Sequence, residues 1–316
     1  MRTRSFYFLL QILILCDSFS FAQELRSDTS YWHRGFKGIL SFTQVNLSNW
    51  AAGGENSVSL NSFINMNLNH VKGRVRWENS LDLAYGFLNQ KEVGSRKTDD
   101  KIQALTKIGY QLSSGNQKLF WSTGVGLTTQ FATGFDFPND SVSISGFFAP
   151  AYLVVSTGLE YKHSEKFSLM FSPVSGKMTF VNDQRLANAG AFGVEAAEFD
   201  AFGVIVKEGE NFRAEIGTYL NINFKDEVTE NVNLESRLQL FSNYLENLGE
   251  IDINLELTML MKINKYLSAN LTAQLLYDKD VEFPKLDDSG VQVGVEDKWQ
   301  FKEIFGIGFS YAINPK

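Results

Sequence analysis

Charged side chains of both signs recur at even spacing in three stretches: Arg74, Arg76, Glu78 and Asp82; Arg213 and Glu215; Glu235 and Arg237. In an extended chain, residues two apart stand on the same face, so each stretch presents a short ladder of charge. Such ladders have two uses. Rings of charge lining a pore select solutes by charge. The same groups can instead pair with one another and fill an interior, because a buried charge must be paired. Spacing alone favours the paired filling, and both uses require these eight residues to face one common interior.

Bond-breaking chemistry asks for more: a nucleophile or an activated water beside a base. The three histidines, His33, His70 and His163, fall in a polar leader and in two short turns, where capping or solvation accounts for them. No acid pair stands out. The chain is therefore read as a non-enzyme without cofactors, and a membrane-embedded hydrolase is the remote alternative. Asp136, Asp140, Asp278, Asp280, Glu282, Asp287, Asp288, Glu296 and Asp297 populate connections, but their spacing matches no calcium loop, so they read as a solvated acidic rim and no metal is expected. Gly53-Gly54 and Gly124-x-Gly126 lack the strand-to-helix setting of a phosphate loop and read as turn and packing glycines.

The elements that position these charges are strands. Between Ser57 and Leu88, two segments alternate strictly. Val58, Leu60, Ile64, Met66 and Leu68 oppose asparagines and serines; after the turn at Lys72-Gly73, Val75, Trp77, Leu81, Leu83, Tyr85 and Phe87 oppose the first charge ladder. Segments this long approach the roughly 9 to 11 residues a tilted strand needs to cross a bilayer. The same alternation marks ten further segments, of which the first starts at Lys37 and the last ends at Ile313. Asn89 to Asp100 reads as a charged loop, the fifth strand extends to Phe135, and the sixth starts at Phe147. Val174 to Gly209 breaks the pattern and reads as an outer loop or lumen insert, with a possible small hairpin. The expected fold is an all-β, antiparallel, up-and-down transmembrane β-barrel over 37–313 with twelve strands; fourteen is the alternative. Twelve strands put the short connections (near Lys72, Gly115, Ser164, Glu227 and Asn264) on one side and the long ones on the other, as outer-membrane barrels do.

Aromatic residues fit that orientation. Trp77, Trp121, Tyr161 and Tyr311 fall near the short-turn ends of their strands, and Tyr85, Phe131, Phe147, Tyr277 and Trp299 near the long-loop ends, all in the apolar phase. They are the expected interfacial girdles.

At the N-terminus, Arg2 and Arg4 precede the apolar run Phe6 to Cys16, and Ser20-Phe21-Ala22 supplies small residues for cleavage, so residues 1–22 read as a secretory signal and 23–36 as a short polar leader. Acylation at Cys16 is the weaker alternative, since Leu15 stands where a small residue is expected. Cys16 is the single cysteine, so the mature chain has no disulfide. The formal net charge of −7 argues against nucleic-acid binding. A hydrophobic fraction of 44% suits a barrel whose strands keep one face polar.

Asn49-Trp50-Ala51-Ala52-Gly53-Gly54-Glu55-Asn56, Lys97-Thr98-Asp99-Asp100, Phe148-Ala149-Pro150-Ala151-Tyr152, Ser172-Pro173-Val174-Ser175-Gly176-Lys177 and Tyr277-Asp278-Lys279-Asp280 together resemble a family of outer-membrane proteins of Bacteroidetes catalogued as a domain of unknown function. The resemblance spans nearly the whole mature chain and implies an outer-membrane barrel; that family has no established activity or substrate. The expected function is a barrel that passes or binds a small solute through its charged lumen and acidic outer loops, the alternative a closed structural or surface-interaction barrel. Its expected partners are outer-membrane lipids and, through the C-terminal aromatic strand, the barrel assembly machinery.

Overall fold

The computed structural model describes residues 31–46, 56–90, 93–137, 139–246, 249–287 and 292–313. The expected signal peptide, residues 23–30 of the leader, Gly53-Gly54 and Asp288 lie outside them. Twelve antiparallel strands close into one barrel: β1 (Trp32–Val45), β2 (Ser57–Lys72), β3 (Val75–Gln90), β4 (Gly94–Gln111), β5 (Leu119–Thr129), β6 (Ala151–Ser164), β7 (Phe167–Phe180), β8 (Phe212–Thr229), β9 (Val232–Asn243), β10 (Asp252–Lys262), β11 (Leu267–Tyr277) and β12 (Gln300–Ile313). Each pairs with its sequence neighbours, and β1 closes on β12 from Phe36↔Ile313 to Ser41↔Gly308. The fourteen-strand alternative is therefore set aside.

The barrel is inverted relative to a water-soluble core. Ser41, Asp82, Gln103, Ser122, Glu160 and Lys177 are buried, whereas Leu40, Phe42, Met66, Leu68, Ile108, Tyr110, Phe305 and Phe309 are exposed on the outer wall. Alternation puts polar groups inside and an apolar band outside, and closure leaves no unpaired strand edge, which is the arrangement hydrocarbon demands. Strands of 11 to 18 residues meet the span of about 9 to 11 residues. At one end the chain turns in two residues at Gly73-Arg74, Glu165-Lys166 and Glu230-Asn231. Gly73 takes the first of these at φ 59°, a left-handed conformation that costs glycine no Cβ clash.

Several boundaries differ from the sequence expectation. β1 begins at Trp32, so the leader loses its last five residues: Trp32 to Phe36 pair with His70 to Met66, and the Trp32 ring packs 4.8 Å from His70 and 5.6 Å from Trp77. Residues 94–100 form strand instead of a charged loop, because a bulge at Gly86/Phe87 re-registers the pair so that Asn89 faces Ser95. β5 stops at Thr129. The Asp100 carboxylate accepts hydrogen bonds from the backbone amides of Phe131 (2.6 Å) and Ala132 (2.9 Å), and Lys97 Nζ donates to the Ala132 carbonyl (2.8 Å), drawing the chain out of the wall. Phe135 consequently joins a small hairpin, Gly134–Phe135 with Ser143–Ser145.

β6 starts at Ala151, not Phe147, since side chains occupy the preceding backbone groups: Gln130 Nε2 donates to the Ala149 carbonyl (3.1 Å) and Thr129 Oγ1 to that of Pro150 (3.0 Å). β7 continues through Pro173 to Phe180, which shrinks the insert from 174–209 to 181–211. Proline lacks a donor, and both neighbouring strands shift register beside it, at Thr157/Leu159 and Gly217/Tyr219. The Ser172 hydroxyl takes over, donating to the Thr157 carbonyl at 2.6 Å and accepting from the Thr157 amide at 2.9 Å. Within the insert, α1 (Gln184–Asn188) is capped by Asp183, whose side chain accepts from the Arg185 and Leu186 amides. Val181, Leu186, Ala187 and Val194 bury against Ala149 at the long-loop mouth. The insert also holds a small hairpin, Glu198–Phe199 with Ile205–Lys207.

Candidate lumen site

The eight expected lumen charges divide by height. Arg74 is exposed at the short-turn rim, bonded to Ser114. Arg76 pairs with Glu165 at 2.9 Å and lies 5.6 Å from the Phe120 ring. Glu78 meets Lys107 (2.9 Å) and Lys162. Asp82 is buried, accepts from Asn65 and lies 3.8 Å from Arg237. Nearer the long loops, Arg213 meets Asp280 at 2.9 Å and Glu215 at 3.6 Å, and Glu215 lies 3.8 Å from Lys177. Glu235 pairs with Lys37 (3.3 Å) and Lys225 (3.1 Å). Within the expected set, the structure thus joins Asp82 to Arg237 and Arg213 to Glu215.

Other partners, not singled out in the sequence, include Lys37, Lys101, Lys107, Lys162, Glu165, Lys177, Lys225, Asp252 and Glu256. Parity was the available signal for Lys101 and Lys107, which alternate with the apolar Ile102, Ala104 and Ile108 of β4.

At mid-strand a polar bar crosses the lumen. Lys101 of β4 donates to both carboxylate oxygens of Glu256 on β10 at 3.2 Å each; in a ring of twelve these strands stand opposite one another. Arg237 of β9 donates to the Gln103 carboxamide oxygen of β4 at 2.8 Å, and its Nη1 lies 3.9 Å from Glu256. Its Nε also donates to Asn223 at 3.4 Å. Closer to the long loops a second crossing joins Lys177 of β7 to Asp252 of β10 (2.6 Å) and to Asp278 just beyond β11 (3.1 Å).

Two cavities flank Arg237, and both use its side of the lumen as wall. One, of about 260 Å³, is lined by Ser41, Asn65, Ser80, Asp82 and Lys225. The other, of about 410 Å³, opens toward the long loops and is lined by Tyr152, Met170, Tyr219, Phe241 and Lys177, with Phe192 of the insert beside it. The insert therefore contributes wall to the chamber at the barrel mouth.

Outside, Trp77, Tyr85, Trp121, Phe131, Phe147, Tyr161, Trp299 and Tyr311 are exposed; Tyr277 is half-buried, 4.9 Å from Trp299. Phe131 and Phe147 sit in connections beyond β5 and before β6 instead of within strands. The Trp77 and Trp121 indoles donate to Thr106 (2.9 Å) and Thr157 (3.1 Å) on the next strand. Tyr277 bonds Asp297 in the last loop, and this bond holds the Asp297 carboxyl below its usual range. His33, His70 and His163 lie at the ends of β1, β2 and β6, not in leader and turns, because those strands run further than the pattern indicated. His163 Nδ1 is 3.1 Å from the Tyr161 hydroxyl. Among the described residues no group of three or more His, Cys, Asp or Glu is placed to hold a metal ion.

A family described as a protein of unknown function (DUF3078) matches residues 42–135. The Asn49–Asn56 and Lys97–Asp100 motifs fall inside that match, and the other three motifs beyond it. No curated protein matches. Solved structures that are similar include an outer membrane channel from Pseudomonas putida F1, at 13% identity and TM-score 0.36, covering 93% of this chain and 99% of that one. Outer membrane phospholipase A from Escherichia coli is similar at 10% identity and TM-score 0.34, covering 91% and 93%. The translocator domain of the autotransporter NalP from Neisseria meningitidis is similar at 9% identity and TM-score 0.28, covering 98% and 95%. At these identities and scores, the likeness carries no argument about activity.

Proposed function

We propose that this protein is an outer-membrane barrel that binds and passes a small solute, without breaking its bonds, through a lumen narrowed by the Lys101–Glu256–Arg237–Gln103 bar. Export follows the N-terminal signal, with cleavage after Ala22, and the outward apolar band supports residence in a bilayer. The observation that carries the reading is the pair of cavities, about 410 and 260 Å³, on the two sides of Arg237. The larger falls within the roughly 300 to 1,000 Å³ of small-molecule sites, inside a wall whose polar face lines the interior.

The test is conductance of the purified chain in planar bilayers. Arg237→Ala removes the bar's central cation and is expected to raise conductance about twofold or more, since open pore area controls ion flux. No conductance in either the wild type or Arg237→Ala would overturn passage. It would favour the second reading, a closed structural barrel, which the bar itself supports.

A further inference from the structure

The chamber of about 410 Å³ at the long-loop mouth has three deficits of one sign. The first is charge. Lys177 lies among Asp252, Asp278 and Glu215, at 2.6, 3.1 and 3.8 Å, so three carboxylates share one ammonium there. Arg213 helps neutralise Glu215 but also carries Glu246 and Asp280. Excess anionic charge in a recess with low-dielectric walls concentrates cations.

The second is an unmet acceptor. Asn221 lines the chamber and is 9% exposed, yet its Oδ1 has no hydrogen-bond partner among the described residues. A buried acceptor left in that state costs about 1 to 3 kcal/mol, which a ligand N–H or O–H would recover.

The third is the wall between them. Tyr152, Met170, Tyr219 and Phe241 line it, and the Lys177 ammonium already sits 5.6 Å from the centre of the Phe241 ring. Aromatic faces attract cations, and the apolar surface needs an apolar body to cover it. Lys177 thus behaves as an internal ligand, showing where an ammonium head is held.

We infer that the chamber binds a small organic cation with an apolar body, its ammonium or guanidinium head at Asp252 and Asp278 in competition with Lys177, and its far end donating to Asn221. This rests on the solute-binding reading above and names the solute's chemical class.

The test uses the full mature chain refolded in detergent and titrated calorimetrically with three probes of one shape, each with a phenol O–H at the far end: tyramine, 2-(4-hydroxyphenyl)ethanol and 3-(4-hydroxyphenyl)propionate. Tyramine is expected to bind about tenfold or more tighter than the other two, a difference of about 1.4 kcal/mol. Asp278→Asn, beyond the end of β11 and so outside the barrel wall, should weaken tyramine binding and leave 2-(4-hydroxyphenyl)ethanol unchanged. Lys177→Met, which removes the internal competitor, should tighten tyramine binding; should that variant fail to fold, Asp278→Asn alone decides. Equal or tighter binding of 3-(4-hydroxyphenyl)propionate, no binding of any probe, or an unchanged affinity in Asp278→Asn would overturn the assignment. Conductance of Arg237→Ala on the same preparation separates the two proposals: binding lost with conductance intact sinks only the ligand class, and conductance absent with binding intact sinks only passage.

Discussion

Arg237 on β9 and Gln103 on β4 meet inside the barrel at 2.8 Å, five strands apart in a ring of twelve. The guanidinium simultaneously reaches Asn223 at 3.4 Å and stands within 4 Å of Asp82 and Glu256. Only a planar fork with several donors serves partners on so many strands. Arg237→Lys keeps the charge and loses the fork, so it is expected to destabilise the barrel by about 1 to 3 kcal/mol, the cost of stranding a buried partner. Gln103→Ala leaves Arg237 its other partners and should cost about 1 kcal/mol or less. Urea titrations followed by tryptophan fluorescence in lipid check both; a Lys variant as stable as the wild type would show that the crossing is not structural.

The two faces of β3 give a second prediction. Leu83 points outward near the middle of the strand, whereas Ser80 lines the smaller cavity. Arginine at position 83 must enter hydrocarbon, at a cost of about 2 to 4 kcal/mol near the midplane. Arginine at position 80 enters a polar cavity that already holds Asp82, so Ser80→Arg should cost clearly less. Equal folding free energies for the two variants in bilayers would overturn the face assignment.

The contrast between Leu83 and Ser80 was legible in the sequence, because a period of two assigns each side chain a face as soon as one residue of the strand is placed. The same logic set the strand count and the inward aim of Glu78, Asp82, Glu215 and Arg237. Partnership was not legible. Lys101 and Glu256 are 155 residues apart, and only closure of the ring sets β4 opposite β10. Lys177 was hidden for another reason: Pro173 imitates a strand end, and the Ser172 hydroxyl that compensates for it leaves no periodic mark. Asp100 misled in the opposite direction. Read as loop charge, it lies within β4 and pulls Phe131 and Ala132 out of β5.

Anchoring of the insert gives a third prediction. Leu186 is 5% exposed and Val181 and Ala187 fully buried, in a cluster that closes on Ala149. Leu186→Asp would bury an unpaired carboxylate there, a cost of several kcal/mol for which the site holds no partner. The twelve barrel strands do not depend on this cluster, so the expected outcome is local: residues 181–211 become cleavable by added protease while the barrel stays folded. Global unfolding instead would mean that the insert is integral to the wall.

The depth of the indoles supplies the last prediction. Trp77 and Trp121 are exposed on the outer wall toward the short-turn end, and Trp299 toward the long loops. Trp77 and Trp121 each donate to a threonine of the neighbouring strand, Thr106 and Thr157. That bond removes the cost of holding an N–H in an apolar setting, as suits an interfacial belt. In variants retaining one tryptophan each, lipids brominated near the headgroup should quench Trp77, Trp121 and Trp299 more strongly than lipids brominated near the chain ends. Thr157→Val leaves the Trp121 donor without its partner and should move that residue's quenching toward the headgroup, where water satisfies it. Strongest quenching from the chain ends at all three positions would place the apolar band off centre in the bilayer and require the girdle to be redrawn.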